Sequence, residues 1–297
     1  MPFTLRPLIV FSHGNSFQAA VYSELIQHLK ARGYAVEAIE KFGHDAARPV
    51  TNNWPHLVRE LADFATLQAL KKPGQPLFLV GHSLGGFLSL MCASKFPVLG
   101  GVPISGVVLL DSPIIGGWRA QVLRIAKKVG LMSSMSPGAV SQKRRTSWAS
   151  SREAFVHFRA KKSFALWHDA AIHNYVESFS QRPTGGLQLG FDRSVETAIY
   201  NTLPDNLGKL LASHPPKCPV AFVGGSDSTE LKRVGLRLTQ KVVNGRIRTV
   251  NGGHLFPIEN PLCTAAAIDA ELLNIAALSL EPAWLNTEAQ EQQQVKD

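Results

Sequence analysis

Six short apolar runs, each followed by a stretch with helical spacing, constrain this 297-residue chain more than any other feature. The runs are Leu8 to Phe11, Ala35 to Ile39, Leu77 to Val80, Val107 to Leu110, Val220 to Val223 and Ile247 to Val250. Their Val, Ile, Leu and Phe content without polar alternation is the pattern of strands buried on both faces. Between them lie helical patterns at Tyr22 to Ala31, Trp54 to Leu70 behind an Asn53 cap, Gly86 to Phe96 ended by Pro97, Leu231 to Gln240, and Leu262 to Ala277 after Pro261. Alternating strands and helices predict a mostly parallel sheet flanked by helices. Right-handed crossovers put all the strand C-terminal ends, and any site, on one edge.

The alternation breaks once, between Asp111 and Val220. About a hundred residues there hold helical patterns and no convincing strand: Trp118 to Val129, Arg152 to Ser163, Phe164 to Phe179, Val195 to Asn201 and Asn206 to Ala212. The expected division is a core of residues 1–112 and 216–287, a helical cap or lid of 113–215, and a glutamine-rich tail, 288–297, expected to be disordered.

One strand-to-helix junction carries chemistry. Leu77 to Val80 runs into Gly81-His82-Ser83-Leu84-Gly85 and then a helix, the context in which a G-x-S-x-G match has mechanical meaning. Glycines on either side of a serine let strand and helix approach closely and lift the hydroxyl above the sheet edge, at a helix start that favours developing negative charge. A serine hydroxyl needs a base, and the base an orienting acid, each past a later strand. Asp227 follows Val220 to Gly225 and His254 follows Thr249 to Gly253, so Ser83, Asp227 and His254 are the expected catalytic residues. Asp111 also ends a strand and is the rival acid, with a turn cap beside Ser112-Pro113 as its other reading. An oxyanion hole is expected from the main-chain N–H groups of Asn15 and Leu84, since Leu8 to Ser12 runs into the turn His13-Gly14-Asn15-Ser16. His13 is expected to brace that turn, and His13, Ser16, His82, Trp118 and Trp167 are candidate pocket residues.

These motifs together resemble the α/β-hydrolase superfamily over Leu8 to Ala277. The resemblance implies an α/β-hydrolase fold with a Ser-Asp-His triad and an inserted helical cap, which is where the alternation fails. Most members begin with one or two antiparallel strands, and only seven residues precede Leu8, so a shortened sheet edge is expected. Relatives that open epoxides or remove halides use aspartate at the nucleophile, so Ser83 points to a carboxylic-ester or thioester hydrolase working through an acyl-enzyme. An acyltransferase, a carbon-carbon hydrolase and a cofactor-free haloperoxidase keep the same triad, and a non-catalytic binding protein keeps the fold.

Cap residues Trp118, Leu123, Met132, Trp148, Phe155, Phe158, Phe164 and Trp167 suggest an apolar wall for a largely hydrophobic acyl substrate. The net charge of +9 concentrates between Trp118 and Lys162, where eleven basic residues face one acid, Glu153. A solvated face is the plain reading, and weak attraction to anionic substrates or surfaces the alternative. No nucleic-acid module accompanies the charge, the histidines lack a zinc spacing, and no metal or cofactor is expected. No uninterrupted apolar run approaches the roughly 20 residues of a membrane span. The N-terminus has no secretion pattern, and Cys92, Cys218 and Cys263 are isolated, which together suggest the cytoplasm.

Overall fold

The computed structural model describes residues 5–116, 121, 122, 124, 125, 127 and 141–278. In chain order the first half contains β1 (Leu8–Ser12), α1 (Ser23–Ala31), β2 (Ala35–Ala38), α2 (Pro55–Lys71), β3 (Leu77–His82), α3 (Leu84–Lys95), the short β4 (Val98–Leu99) and β5 (Val102–Leu110). Next come β6 (Ser147–Trp148), α4 (Ser151–Arg159), α5 (Asp169–Glu177), β7 (Ser180–Gln181), β8 (Leu187–Gln188), α6 (Arg193–Asn201) and α7 (Leu207–Ser213). The chain returns to the sheet with β9 (Val220–Gly225), then α8 (Thr229–Val234), α9 (Arg237–Val243), β10 (Ile247–Val250), α10 (Phe256–Glu259) and α11 (Pro261–Leu278).

The main sheet runs β10-β9-β5-β3-β1-β2, with all five pairings parallel and β4 antiparallel to the start of β5. Burial explains the unbroken apolar runs. Ile9, Phe11, Val80, Val108 and Val223 point to one face, under α1 and α11. Leu8, Val10, Leu79, Val107 and Phe222 point to the other, under α2 and α3. β2 is the edge strand on the β1 side among the described residues. α11 is long and apolar enough to cross a membrane by length and composition alone, but its Ala265, Ile268, Leu272 and Ile275 are packed in the core.

Three local expectations are corrected. The N-cap of α2 is Trp54, in a left-handed conformation with φ 56°, and Asn53 instead turns its Oδ1 away to accept from the Asp205 N–H at 2.9 Å. The helical stretch Leu231 to Gln240 is two helices, because Gly235 adopts φ 75° and ends the first. The segment between β5 and β9 is not all-helical: β6, β8 and β7 form a small antiparallel sheet joined by the turn that Gly185 and Gly186 make at φ 86° and 78°. Most of the first expected helix of that segment, and the tail 288–297, lie outside the described residues.

The expected apolar wall is largely the segment's own core. Trp148, Phe158, Phe164, Trp167, Tyr175 and Phe179 stack edge and face on one another at centroid distances of 4.6–6.0 Å. Five of the eleven basic residues of the run are likewise committed. Arg124 and Lys127 pair with Asp205, Arg144 with Glu196, Arg145 with Glu153, and Arg159 with Asp169. Four of those five are answered by acids from outside the run, Asp205, Glu196 and Asp169, and the fifth by Glu153 within it.

Candidate active site

Ser83 occupies the junction of β3 and α3 with φ 52° and ψ −114°, a conformation costly for a residue with a Cβ. The flanking glycines make it possible. A Cβ on Gly81 would fall 2.2 Å from the Gly85 carbonyl, and one on Gly85 would fall 2.1 Å from the Ser12 oxygen. The bend leaves Ser83 half-buried at the floor of a cavity of about 990 Å³.

His254, in the loop after β10, places Nε2 3.0 Å from Ser83 Oγ. Its Nδ1 lies 2.7 Å from Oδ2 of Asp111. A carboxylate only accepts, so Nδ1 carries the proton and Nε2 presents its lone pair to the serine hydroxyl. The same Asp111 carboxylate accepts from the Gly225 N–H at 3.0 Å and from Ser228 Oγ at 2.5 Å. Asp111 is itself fully buried at φ 47°.

The acid at the imidazole is thus Asp111, and the expectation placed on Asp227 is corrected. Sheet register supplies the reason. β3 pairs with β5 so that His82 lies opposite Leu110, and Ser83 N–H donates to the Leu110 oxygen. The residues that leave those two strands, Ser83 and Asp111, are therefore neighbours. Asp227 leaves β9, one strand further out. Its own N–H continues the ladder to the Gly252 oxygen, and its carboxylate accepts from Ser226 Oγ at 2.9 Å on the exposed lip of the cavity. Glu230 is the nearer second carboxylate, with Oε2 3.8 Å from His254 Nδ1.

The turn after β1 sits beside the nucleophile. Among the described residues neither the Asn15 nor the Leu84 N–H has a hydrogen-bond acceptor, while Asn15 Nδ2 is tied to the Glu196 carbonyl at 3.1 Å. His13 is fully buried and braces the turn: Nδ1–H donates to the Gly14 oxygen at 2.8 Å and Nε2 accepts from the Phe42 N–H at 3.0 Å. Burial lowers its pKa to about 4. His82 is buried as deeply, and burial, helped by the neighbouring His254, lowers its pKa to about 3.

Of the candidate pocket residues, Ser16 and His82 line the cavity. His13 and Trp167 are buried behind it, with Trp167 packed on Phe17 and Phe164, and Trp118 lies outside the described residues. Sequence reasoning missed Phe17, Leu166, Tyr200 and Arg144, which do line it. It also missed Glu196, a buried carboxylate that accepts from Ser16 Oγ and pairs with Arg144 at 3.0 Å. Burial raises the Glu196 pKa against the opposing pull of Arg144. An acidic residue in the first turn of a helix carries no local signal of this, since its partners are 180 and 52 residues away.

Comparison with known proteins gives the family and the fold. Residues 4–180 match the family described as serine aminopeptidase, S33. Rat monoglyceride lipase is 34% identical over 115 residues, 38% of this chain and 36% of that enzyme, so the match spans about a third of the relative's length. Among solved structures, a peroxisomal α/β-hydrolase of Saccharomyces cerevisiae superposes with a TM-score of 0.69 at 17% identity, covering 95% of this chain and 80% of the other. E-2-(acetamidomethylene)succinate hydrolase does so with a TM-score of 0.68 at 21% identity, covering 90% and 91%. At such identities the superpositions speak to the fold.

Proposed function

Because this chain belongs to the serine aminopeptidase S33 family of α/β-hydrolases, we propose that it is a serine hydrolase that cleaves carboxylic esters or thioesters through an acyl-enzyme on Ser83. The observation that carries the reading is the unbroken series Ser83 Oγ, His254 Nε2, His254 Nδ1 and Asp111 Oδ2, at 3.0 and 2.7 Å. His254 takes the Ser83 proton as Oγ attacks the acyl carbon, and Asp111 holds the tautomer and faces the imidazolium that forms. The N–H groups of Asn15 and Leu84 receive the oxyanion. His254 then returns its proton to the leaving oxygen or sulfur, and water repeats the sequence on the acyl-enzyme.

The residues between β5 and β9 act as a cap, supplying Arg144, Phe164, Leu166 and Tyr200 to the cavity. Phe17, Phe164, Leu166 and Leu255 offer an apolar path for an acyl chain. A cytoplasmic location is part of the same reading and rests on the three free thiols of Cys92, Cys218 and Cys263.

The test is a panel of p-nitrophenyl esters from acetate to palmitate, an acyl-thioester and an aminoacyl-anilide, run with wild type and Ser83→Ala. Ester or thioester turnover abolished by the substitution is expected. Turnover of the anilide alone would transfer the reading to peptide bonds, and turnover that survives Ser83→Ala would remove the serine from the mechanism.

A further inference from the structure

The triad uses one hydrogen-bonding side of each loop, and a second, buried series joins the same loops from behind. The Gly14 N–H, beside the Asn15 amide, donates to Tyr22 Oη at 3.0 Å. Tyr22 Oη lies 2.7 Å from His82 Nδ1, and His82 Nε2 lies 2.8 Å from the His254 carbonyl oxygen. Chemistry assigns every proton. The His254 carbonyl can only accept, so His82 Nε2 carries hydrogen. With the ring held neutral by its burial, Nδ1 must accept, and Tyr22 Oη–H is the donor.

We propose that Tyr22 and His82 form a positioning relay, Gly14 N–H to Tyr22 O–H to His82 to the His254 carbonyl, that sets the oxyanion turn, the nucleophile and the base in one register. The inference rests on the serine-hydrolase reading of the same site. Neither side chain touches a reacting atom: His82 adjoins Ser83 in sequence and anchors His254 through its main chain, with the two imidazole rings 5.0 Å apart.

Two further observations fit a built device. Asp111 and Ser83 hold the His254 ring, and the His82 bond to the His254 carbonyl adds a constraint on its main chain in the loop after β10. The space around the relay is closed: Tyr22 is 1% exposed and packed on Phe11 at 5.0 Å. A Cβ on Gly14 would stand 2.9 Å from His82 Nδ1 and 3.0 Å from Tyr22 Oη. A side chain at Gly14 would therefore have to displace the relay side chains themselves.

Tyr22→Phe keeps the ring and deletes both bonds of its hydroxyl. The expected result is kcat lower by about tenfold, the factor that one misdirected buried hydrogen bond makes in a rate, with KM within about twofold. His82→Gln retains an N–H at the Nε2 position and is expected to keep more activity than His82→Leu, which has none. The double variant Tyr22→Phe/His82→Leu should be no slower than His82→Leu, because both changes break one series.

The low-field proton resonance of His254 Nδ1–H against Asp111 should shift or broaden in Tyr22→Phe. That signal needs no substrate, so it separates failure of the relay from failure of the enzymatic reading. An unchanged resonance with wild-type kcat in folded Tyr22→Phe, or additive losses in the double variant, would overturn the relay.

Discussion

Replacing Asp111 by asparagine preserves side-chain volume and isolates the acid's role. In the native site Oδ1 accepts from the Gly225 N–H at 3.0 Å, while Oδ2 accepts from His254 Nδ1–H at 2.7 Å and from Ser228 Oγ at 2.5 Å. An amide has one acceptor oxygen. If that oxygen stays with Gly225, the new NH₂ faces Nδ1 and drives His254 to the tautomer with hydrogen on Nε2, which cannot take the proton of Ser83. If it turns to His254, the NH₂ meets the Gly225 N–H. Either arrangement is expected to cost about 10³- to 10⁴-fold in kcat, roughly 4 to 5.5 kcal/mol of transition-state stabilisation, with KM within about threefold. Asp227→Asn, altering an exposed carboxylate whose recorded side-chain partner is Ser226, should stay within about threefold of wild type. The assay is steady-state hydrolysis of a short p-nitrophenyl ester, with thermal melting to verify folding. A larger loss in Asp227→Asn than in Asp111→Asn would refute the assignment. Adding Glu230→Gln to Asp111→Asn should lower the residue of activity further, because Glu230 Oε2 is the next carboxylate to Nδ1, at 3.8 Å.

The two buried neutral histidines predict acid sensitivity. Their folded pKa values, about 4 for His13 and about 3 for His82, lie below the ordinary 6.5, so the unfolded chain binds these protons first. Their contribution is complete above pH 6.5 and declines as pH falls, by roughly 4 kcal/mol together at pH 5, which urea unfolding at pH 7.5, 6 and 5 would measure. Stability unchanged over that range would contradict their neutral burial. Gly85→Ala places a Cβ 2.1 Å from the Ser12 oxygen, and no rotamer relieves a clash with backbone. We expect at least about 3 kcal/mol of destabilisation, read as a fall in melting temperature or loss of soluble protein. Leu166, 67% exposed and lining the cavity, can be changed without unfolding the segment between β5 and β9. Leu166→Asp should lower kcat/KM for a long-chain ester about fivefold relative to acetate, with an unchanged melting temperature; an equal effect on both esters would remove Leu166 from the acyl path.

Much of the sheet was legible because its central strands β1, β3 and β9 are buried on both faces and read as apolar runs with no alternation to mislead, while the outer β2 and β10 carry Glu37, Arg248 and Thr249. Ser83 and His254 were legible because a strand, a tight turn and a helix leave glycine in fixed places around them. The acid was not, because chain order admits both Asp111 and Asp227; only the register of β3 on β5 decides which one stands beside Ser83. The segment between β5 and β9 misled for a related reason. Aromatic residues such as Trp148, Phe158 and Trp167 look alike in sequence whether they face a substrate or each other, and here they face each other. Tyr22 and Glu196 gave no signal at all, their partners being set by tertiary contacts 60 and 180 residues away.

The central claim is that Ser83 Oγ is the nucleophile. A fluorophosphonate probe, followed by intact-mass and peptide mass spectrometry, tests it without knowledge of the natural substrate. The account predicts one probe per chain, on the peptide containing Gly81-His82-Ser83-Leu84-Gly85, with labelling lost in Ser83→Ala and slowed by orders of magnitude in Asp111→Asn. Folded wild-type protein that stays unlabelled, or that carries the probe on another residue, would contradict it.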